Sequence, residues 1–338
     1  MEQTAMTATQ PAPTPTTVKA RRRPKITSYG TVIGMIVVVL AVGAIKPSFL
    51  GLPNLQAVLV EATVLAVLAV GLSIVMSMKG IDLSIAVTAD VAGYIAAKTL
   101  LEGNGLGAAL FAALAVGLVV GLVNGVLAGF LGVPAIVATL GVNLLLSAVG
   151  LVISDNGTPQ QLFTAPAAVV GDFLAIGTGS VGPVRILIIV AIVVVAIAWF
   201  ATRRTVWGRG IDLVESSSRA AFLAGVPVRV TFAAGFVACS VLAALAGVML
   251  TARTGVVVPG TAAPLLLDAF TAVYLGSIAS PKGRIRVLWT VVGALFVALL
   301  ANGLTLLGLG APWRFALNGL LILAALALGA LRTRTARR

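Results

Sequence analysis

Histidine is absent from this 338-residue chain, which removes Ser-His and Cys-His catalysis and the commonest metal ligand. Its one cysteine, Cys239, lies inside an apolar run, so neither an intrachain disulfide nor a thiolate metal cluster can form. Charge is scarce as well: Asp, Glu, Lys and Arg make up 10% of the residues, against about 25% in an average soluble domain. There is no G-x-x-x-x-G-K-[ST] phosphate loop with which to cradle ATP, and no G-x-S-x-G elbow for a serine hydrolase. Gly177-Thr-Gly179-Ser-Val-Gly182 matches G-x-G-x-x-G, but no strand–turn–helix unit surrounds it and no acid follows ~20 residues on, which argues against dinucleotide binding. No cofactor and no enzymatic activity are expected of such a chain.

What is present is apolar. Hydrophobic residues make up 59% of the sequence, and runs of ~20 residues, long enough to cross ~30 Å of hydrocarbon, recur along it. Gly, Pro and charge punctuation divide these runs into ten segments, near 27–45, 56–77, 86–101, 106–131, 134–153, 184–202, 231–251, 265–280, 287–307 and 313–331. The pattern predicts an all-α integral membrane protein with about ten transmembrane helices, occupying 27–331. Before it lies a Pro/Thr/Ala-rich basic tail, 1–26, expected to be disordered, and after it a short basic tail, 332–338. The first apolar run is too long for a signal peptide and ends in Lys46-Pro47 with no small-residue cleavage site, so it reads as a retained span.

The net charge of +13 sits between the spans rather than on one face, which argues against a nucleic-acid partner and for anionic membrane lipids. With the N-terminus cytoplasmic, one side collects Lys19, Arg21, Arg22, Arg23, Lys25, Lys79, Arg203, Arg204, Arg209, Arg219, Arg229, Lys282, Arg284, Arg286, Arg332, Arg334, Arg337 and Arg338. The other side keeps Lys46, Lys98, Arg185, Arg253 and Arg314. An 18-to-5 split of the 23 basic residues follows the positive-inside rule and places both termini in the cytoplasm of a bacterial cell.

Sliding the sequence against itself by 178 residues superposes Asn124-Gly125 on Asn302-Gly303, Pro134 on Pro312, Gly141 on Gly319 and Asp90 on Asp268. Five spans separate equivalent positions. Because five is odd, the two halves are expected to be inverted five-helix repeats, an architecture of transport proteins whose path lies near the repeat interface.

An acid inside a span costs roughly 2.5–3.5 kcal/mol on insertion scales, so it faces a polar cavity or a partner. The candidates are Asp82, Asp90 and Asp268, with Asn124 and Asn302 as neutral companions along a translocation path; Glu61 lies near its span's start, within reach of headgroups. Asp82 follows the helix-breaking Lys79-Gly80 and equally suits an N-cap of the next helix. An Asn-Gly pair equally suits helix–helix packing.

Three stretches carry a resemblance: KGIDLS at 79–84, GLVNGVLAGFLGVPAIVATLG at 121–141, and the series AALAGVMLTARTG, LLDAFTAVYLGS and VGALFVALLANGLTLLGL between 243 and 309. They resemble the permease subunits of ribose- and xylose-type ATP-binding-cassette importers. The resemblance implies a homo- or heterodimer of permeases, two cytoplasmic ATPase subunits, an extracytoplasmic solute-binding protein, and a fold like that of the vitamin B12 importer permease. It also implies import of a small polar solute, a monosaccharide first. The chain departs from the family at Ile85-Ala86-Val87, at Lys282-Gly283-Arg284-Ile285-Arg286, and at Arg219, a base where the family has an acid.

The rival reading is an ion- or proton-coupled secondary carrier, with Asp90 and Asp268 holding the coupling cation. The Arg-rich loop 203–230 favours the importer, since a carrier needs no docking surface. Within that loop a Ser216–Ser218 N-cap and the stop at Gly225 and Pro227 predict about two turns of helix. There Arg219, Ala220, Ala221, Phe222 and Gly225 are expected to form the coupling contact with an ATPase, the alternative being a helix resting on the membrane surface.

Overall fold

The computed structural model describes residues 30–280 and 283–337, with side chains up to 327. The predicted tail 1–26, Lys282 and Arg338 lie outside these residues. Among the described residues the chain forms thirteen α-helices and four two-residue strands, β1 (Gln160–Gln161), β2 (Ser180–Val181), β3 (Val184–Arg185) and β4 (Val256–Val257), with β2 and β3 in a hairpin and β1 paired to the distant β4.

The first half comprises α1 (Gly30–Ile45), α2 (Leu52–Ser77), α3 (Ile85–Leu101), α4 (Leu106–Gly125) and α5 (Ala135–Ile153). A longer connection follows, with α6 (Ala167–Thr178) and then α7 (Ile186–Arg204). Two short helices, α8 (Val206–Ser216) and α9 (Ser218–Leu223), lead to α10 (Val228–Thr254), α11 (Ala263–Ala279), α12 (Val287–Leu306) and α13 (Ala311–Arg337). Every one of the ten apolar segments coincides with a helix. Six helical stretches, 52–77, 106–130, 135–153, 186–204, 228–254 and 287–306, are long and apolar enough to cross a membrane, and the protein is an all-α integral membrane protein. Three differences stand out: α6 and α8 occupy segments expected to be loops, and α13 continues through the basic C-terminal residues as far as Arg337.

The helix ends follow local chemistry. Pro53 starts α2, Pro134 precedes α5, and α10 stops at Gly255, whose φ of 65° is the left-handed conformation glycine adopts without a Cβ clash. Lys79 takes the same conformation at φ 65°, and beside it a Cβ on Gly80 would lie 2.7 Å from Val75 Cγ1, so the chain breaks here between α2 and α3 as Lys79-Gly80 predicted.

The 178-residue offset reappears in the elements: α3 spans 85–101 and α11 spans 263–279. Packing is exchanged between halves, α4 lying against α10 and its equivalent α12 against α2. Lipid tails give apolar helices no reason to leave them, so small residues that let backbones approach hold such pairs. On α4, Gly117, Gly121 and Gly125 recur every fourth residue; a Cβ on Gly121 would sit 2.5 Å from Val237 Cα, and one on Gly117 2.6 Å from the Ser240 carbonyl. α2 runs through the centre, its residues from Ala62 to Ser77 buried among α7, α10, α11 and α12.

Two tethers mark opposite ends of the bundle. At one, Arg286 before α12 pairs with Asp212 (2.9 Å) and Glu215 (3.0 Å) of α8. At the other, β1 (Gln160–Gln161) pairs with β4 (Val256–Val257).

Candidate functional site

Three polar nodes interrupt the apolar interior. The first forms where the broken segment 78–84 enters α3. Asp82 Oδ1 accepts from the Ser84 amide (2.8 Å) and hydroxyl (2.6 Å), and Asn124 Nδ2 of α4 donates to Ser84 Oγ (2.9 Å). Asp82 therefore closes an Asx-type turn onto Ser84 ahead of α3; the N-cap position of that helix is Ser84, with no side-chain cap bond, and Asn124 joins Asp82 through Ser84. From α5, Thr139 Oγ1 accepts from the Leu83 amide (3.1 Å) and Asn143 Nδ2 donates to the Leu83 carbonyl (2.7 Å), so a non-helical backbone is satisfied inside protein rather than lipid. Asp82 Oδ2, Asn124 Oδ1 and the nearby Ser240 Oγ are buried without a protein partner.

The second node is Asp90, in the second turn of α3. Its carboxylate accepts from the amides of Gly260 (3.1 Å) and Ala262 (2.7 Å), which precede α11 and lie 170 and 172 residues away in sequence. An anion at a helix N-terminus meets both unpaired amides and the positive end of the helix dipole. The same carboxylate lines a cavity of about 300 Å³ together with Tyr94, Asn143, Ser147, Pro259 and Leu266. Tyr94 is held in place by donating to the Thr158 carbonyl (3.2 Å) and accepting from Gln160 Nε2 (2.7 Å). Asp90 thus clasps the loop 255–262 while bordering a cavity with hydroxyl, phenol and amide groups.

The third node surrounds Asp268 on α11. Arg314 Nη2 of α13 reaches its Oδ2 (2.5 Å), Asn318 Nδ2 donates to its Oδ1, and Arg314 Nη1 lies 3.6 Å from Glu61 Oε1 of α2. Glu61 and Arg314, read from sequence as headgroup and rim residues, instead belong to this partly buried ion network. Asp268 is equivalent to Asp90 by the repeat, yet the two have different partners: two backbone amides for one, a guanidinium and an amide side chain for the other. Asn302, equivalent to Asn124, accepts from Asn54 Nδ2 (3.0 Å) and makes a helix–helix bond between α12 and α2. The five path residues are consequently dispersed: Asp82 and Asn124 share the first node, Asp90 and Asp268 lie one in each of the others, and Asn302 lies in none of the three. Sequence reading missed Tyr94, Asn143 and Asn318; the unusual asparagines in apolar helices were the available signal for the latter two.

On the Arg-rich loop, Ser217 Oγ caps α9 by accepting from the Ala220 amide (3.2 Å), and the amides of Gly225 and Val226 close its end on the carbonyls of Phe222 and Ala221. Ala221 is 1% exposed and packs into the chain's own cluster with Ile74, Met78, Ile211 and Val214. It is therefore not part of the open surface expected of it. Phe222 (70% exposed) and Leu223 (78%) point outward, beside exposed Arg219, Ala220 and Gly225.

Residues 54–326 match the family described as branched-chain amino acid transport system / permease component. Among individual relatives, the ribose import permease protein RbsC of Escherichia coli K12 is 33% identical over 298 residues, 87% of this chain and 91% of its own length. The D-allose transport system permease protein AlsC of the same organism is 30% identical over 302 residues, covering 89% and 90% of the two chains. RbsC of Bacillus subtilis is 29% identical over 299 residues, 88% of this chain and 91% of its own. No solved structure matches.

Proposed function

This chain belongs to the transport-system permease family just described, and from that premise we propose that it carries a monosaccharide into the cytoplasm as the membrane subunit of an ATP-binding-cassette importer. It is a transport subunit and not an enzyme. The observation that carries the sugar reading is the near full-length likeness to permeases named for ribose and D-allose. The family's own description names branched-chain amino acids, which makes leucine the informative competitor.

The architecture of this reading is two inverted five-helix halves with ten crossings, in a fold of the vitamin B12 importer type, with both termini cytoplasmic. The shared bounds of α3 and α11, the exchanged packing of α4 and α12, and the two tethers at opposite ends support it. Two ATPase subunits bind the end carrying α8 and α9, through Arg219, Ala220, Phe222, Leu223 and Gly225. A second permease copy and an extracytoplasmic binding protein complete the assembly. The solute passes the cavity at Asp90, where Asn143 offers its amide oxygen and second N–H, and Ser147 an oxygen lone pair, to a hydroxyl-rich solute. Asp82, Asn124, Asp268 and Asn302 hold the helices around that path. An ion-coupled carrier has no observation in its favour.

Uptake of labelled ribose, D-allose and leucine by vesicles containing this permease with its ATPase and binding protein tests the reading. Sugar accumulation that requires ATP and survives collapse of the ion gradients is expected. Leucine uptake without sugar uptake, or uptake driven by an ion gradient alone, would overturn it.

A further inference from the structure

A groove runs along the outside of the bundle between α2, α7 and α12. Its long part encloses about 550 Å³ and is walled by apolar side chains such as Leu59, Ala66, Ile188, Val195 and Leu295. Its one hydroxyl, Thr63, is already spent on the Val60 carbonyl (2.7 Å). At the Arg-rich end the groove meets a second, polar cavity of about 80 Å³, where the same three helices contribute Ser77, Thr202, Arg203 and Trp289. Trp199 and Leu288 line both cavities, so the two adjoin along α7 and α12.

The length fits one acyl chain. From Ile188, near one end of α7, to Trp199 the apolar wall runs for about 17 Å at ~1.5 Å per residue, about the reach of one of the two chains that together fill a ~30 Å hydrocarbon core. Tryptophan at its end is the side chain that prefers the boundary between hydrocarbon and headgroups. The Arg204 guanidinium lies over the Trp199 ring, 5.7 Å from its centroid, and holds it there.

Charge then selects the headgroup. Arg286 and Asp212 also line the polar cavity but pair with each other at 2.9 Å. Among the described residues no carboxylate lies within ion-pairing distance of Arg203, which leaves the small cavity with one uncompensated positive charge. We propose that this groove binds a glycerophospholipid with an anionic headgroup, one acyl chain lying along the apolar wall and the phosphate at Arg203. A free phosphate would use the arginine but leave the groove empty, so the contiguous cavities commit the site to a lipid.

Native mass spectrometry of the purified permease, titrated with phosphatidylglycerol or with phosphatidylcholine of identical acyl chains, tests this. The phosphatidylglycerol adduct is expected to survive activation that strips phosphatidylcholine. Arg203→Gln should lower its retained fraction about fivefold, the effect of one cationic side chain at a lipid surface. Val195→Trp, which fills the apolar wall and leaves every arginine in place, should lower it too. Equal retention of the two lipids would overturn the proposal. So would unchanged phosphatidylglycerol retention in either variant, since a headgroup contact that ignores the groove is not this site.

Discussion

Asp90 and Asp268 show how one residue type at equivalent positions acquires two roles from its surroundings. Two backbone amides hold Asp90, and because hydrogen bonds to a charged group contribute about 1.5–3 kcal/mol each, the carboxylate fixes the loop before α11 at the edge of the cavity. Asp90→Asn keeps the volume but turns an NH₂ towards one of those amides. Solute uptake should fall about tenfold, the loss of one such bond, while the amount of permease in the membrane stays unchanged; immunoblotting beside uptake separates the two. At Asp268 the expected loss is of stability. Arg314→Leu strands a buried carboxylate and should cost ~3–5 kcal/mol, read as a lower unfolding temperature in detergent. Combining it with Asp268→Leu should recover most of that loss, because the uncompensated charge is then gone.

At the scale of the element, α9 has too few residues to be stable alone and depends on its Ser217 cap, its closing bonds and the burial of Ala221. Ala221→Glu places a carboxylate in an apolar cluster and is expected to dislodge α8 and α9 from the bundle, seen as new protease cleavage between 205 and 227. The outward pair behaves differently. Phe222→Ala with Leu223→Ala touches no internal contact, so the permease should insert and resist protease as before. Its complex with the ATPase should weaken roughly 30-fold, the scale of a ~2 kcal/mol interface hot spot, and solute-stimulated ATP hydrolysis should fall with it. Undiminished hydrolysis in that double variant would leave α9 as a helix resting on the lipid surface.

For the whole molecule the sidedness follows from the two tethers. Arg286 with Asp212 and Glu215 keeps the loop after α7 and the turn before α12 at one end, and β1 with β4 keeps the connections after α5 and α10 at the other. Reporter fusions after Arg204 and after Arg286 should therefore report the same compartment, the cytoplasm by the distribution of arginine and lysine. A fusion near Asn156 should report the opposite one. A cytoplasmic signal at Asn156 would break both the ten-span count and the inversion of the halves.

The sequence alone determined the helices and the membrane, because lipid forces every backbone group into local hydrogen bonds and a run of some 20 apolar residues has few other ways to achieve that. It also displayed the 178-residue repeat as self-similarity at one offset, and, from residues a few positions apart, the break at Lys79-Gly80 and a serine cap within Ser216–Ser218. Its short-range patterns missed α6 and α8, whose 12 and 11 residues fall below the length that marks a span. Partnerships between distant side chains lay beyond it altogether. Nothing in the letters distinguishes Asp90 from its repeat mate Asp268, assigns Arg314 to an interior ion network rather than to a rim, or turns Ala221 inward and Phe222 outward. Those assignments depend on which helices meet, and at what depth: the packing of α2, α3, α11 and α13 decided the first two, and that of α8 and α9 against α2 the third.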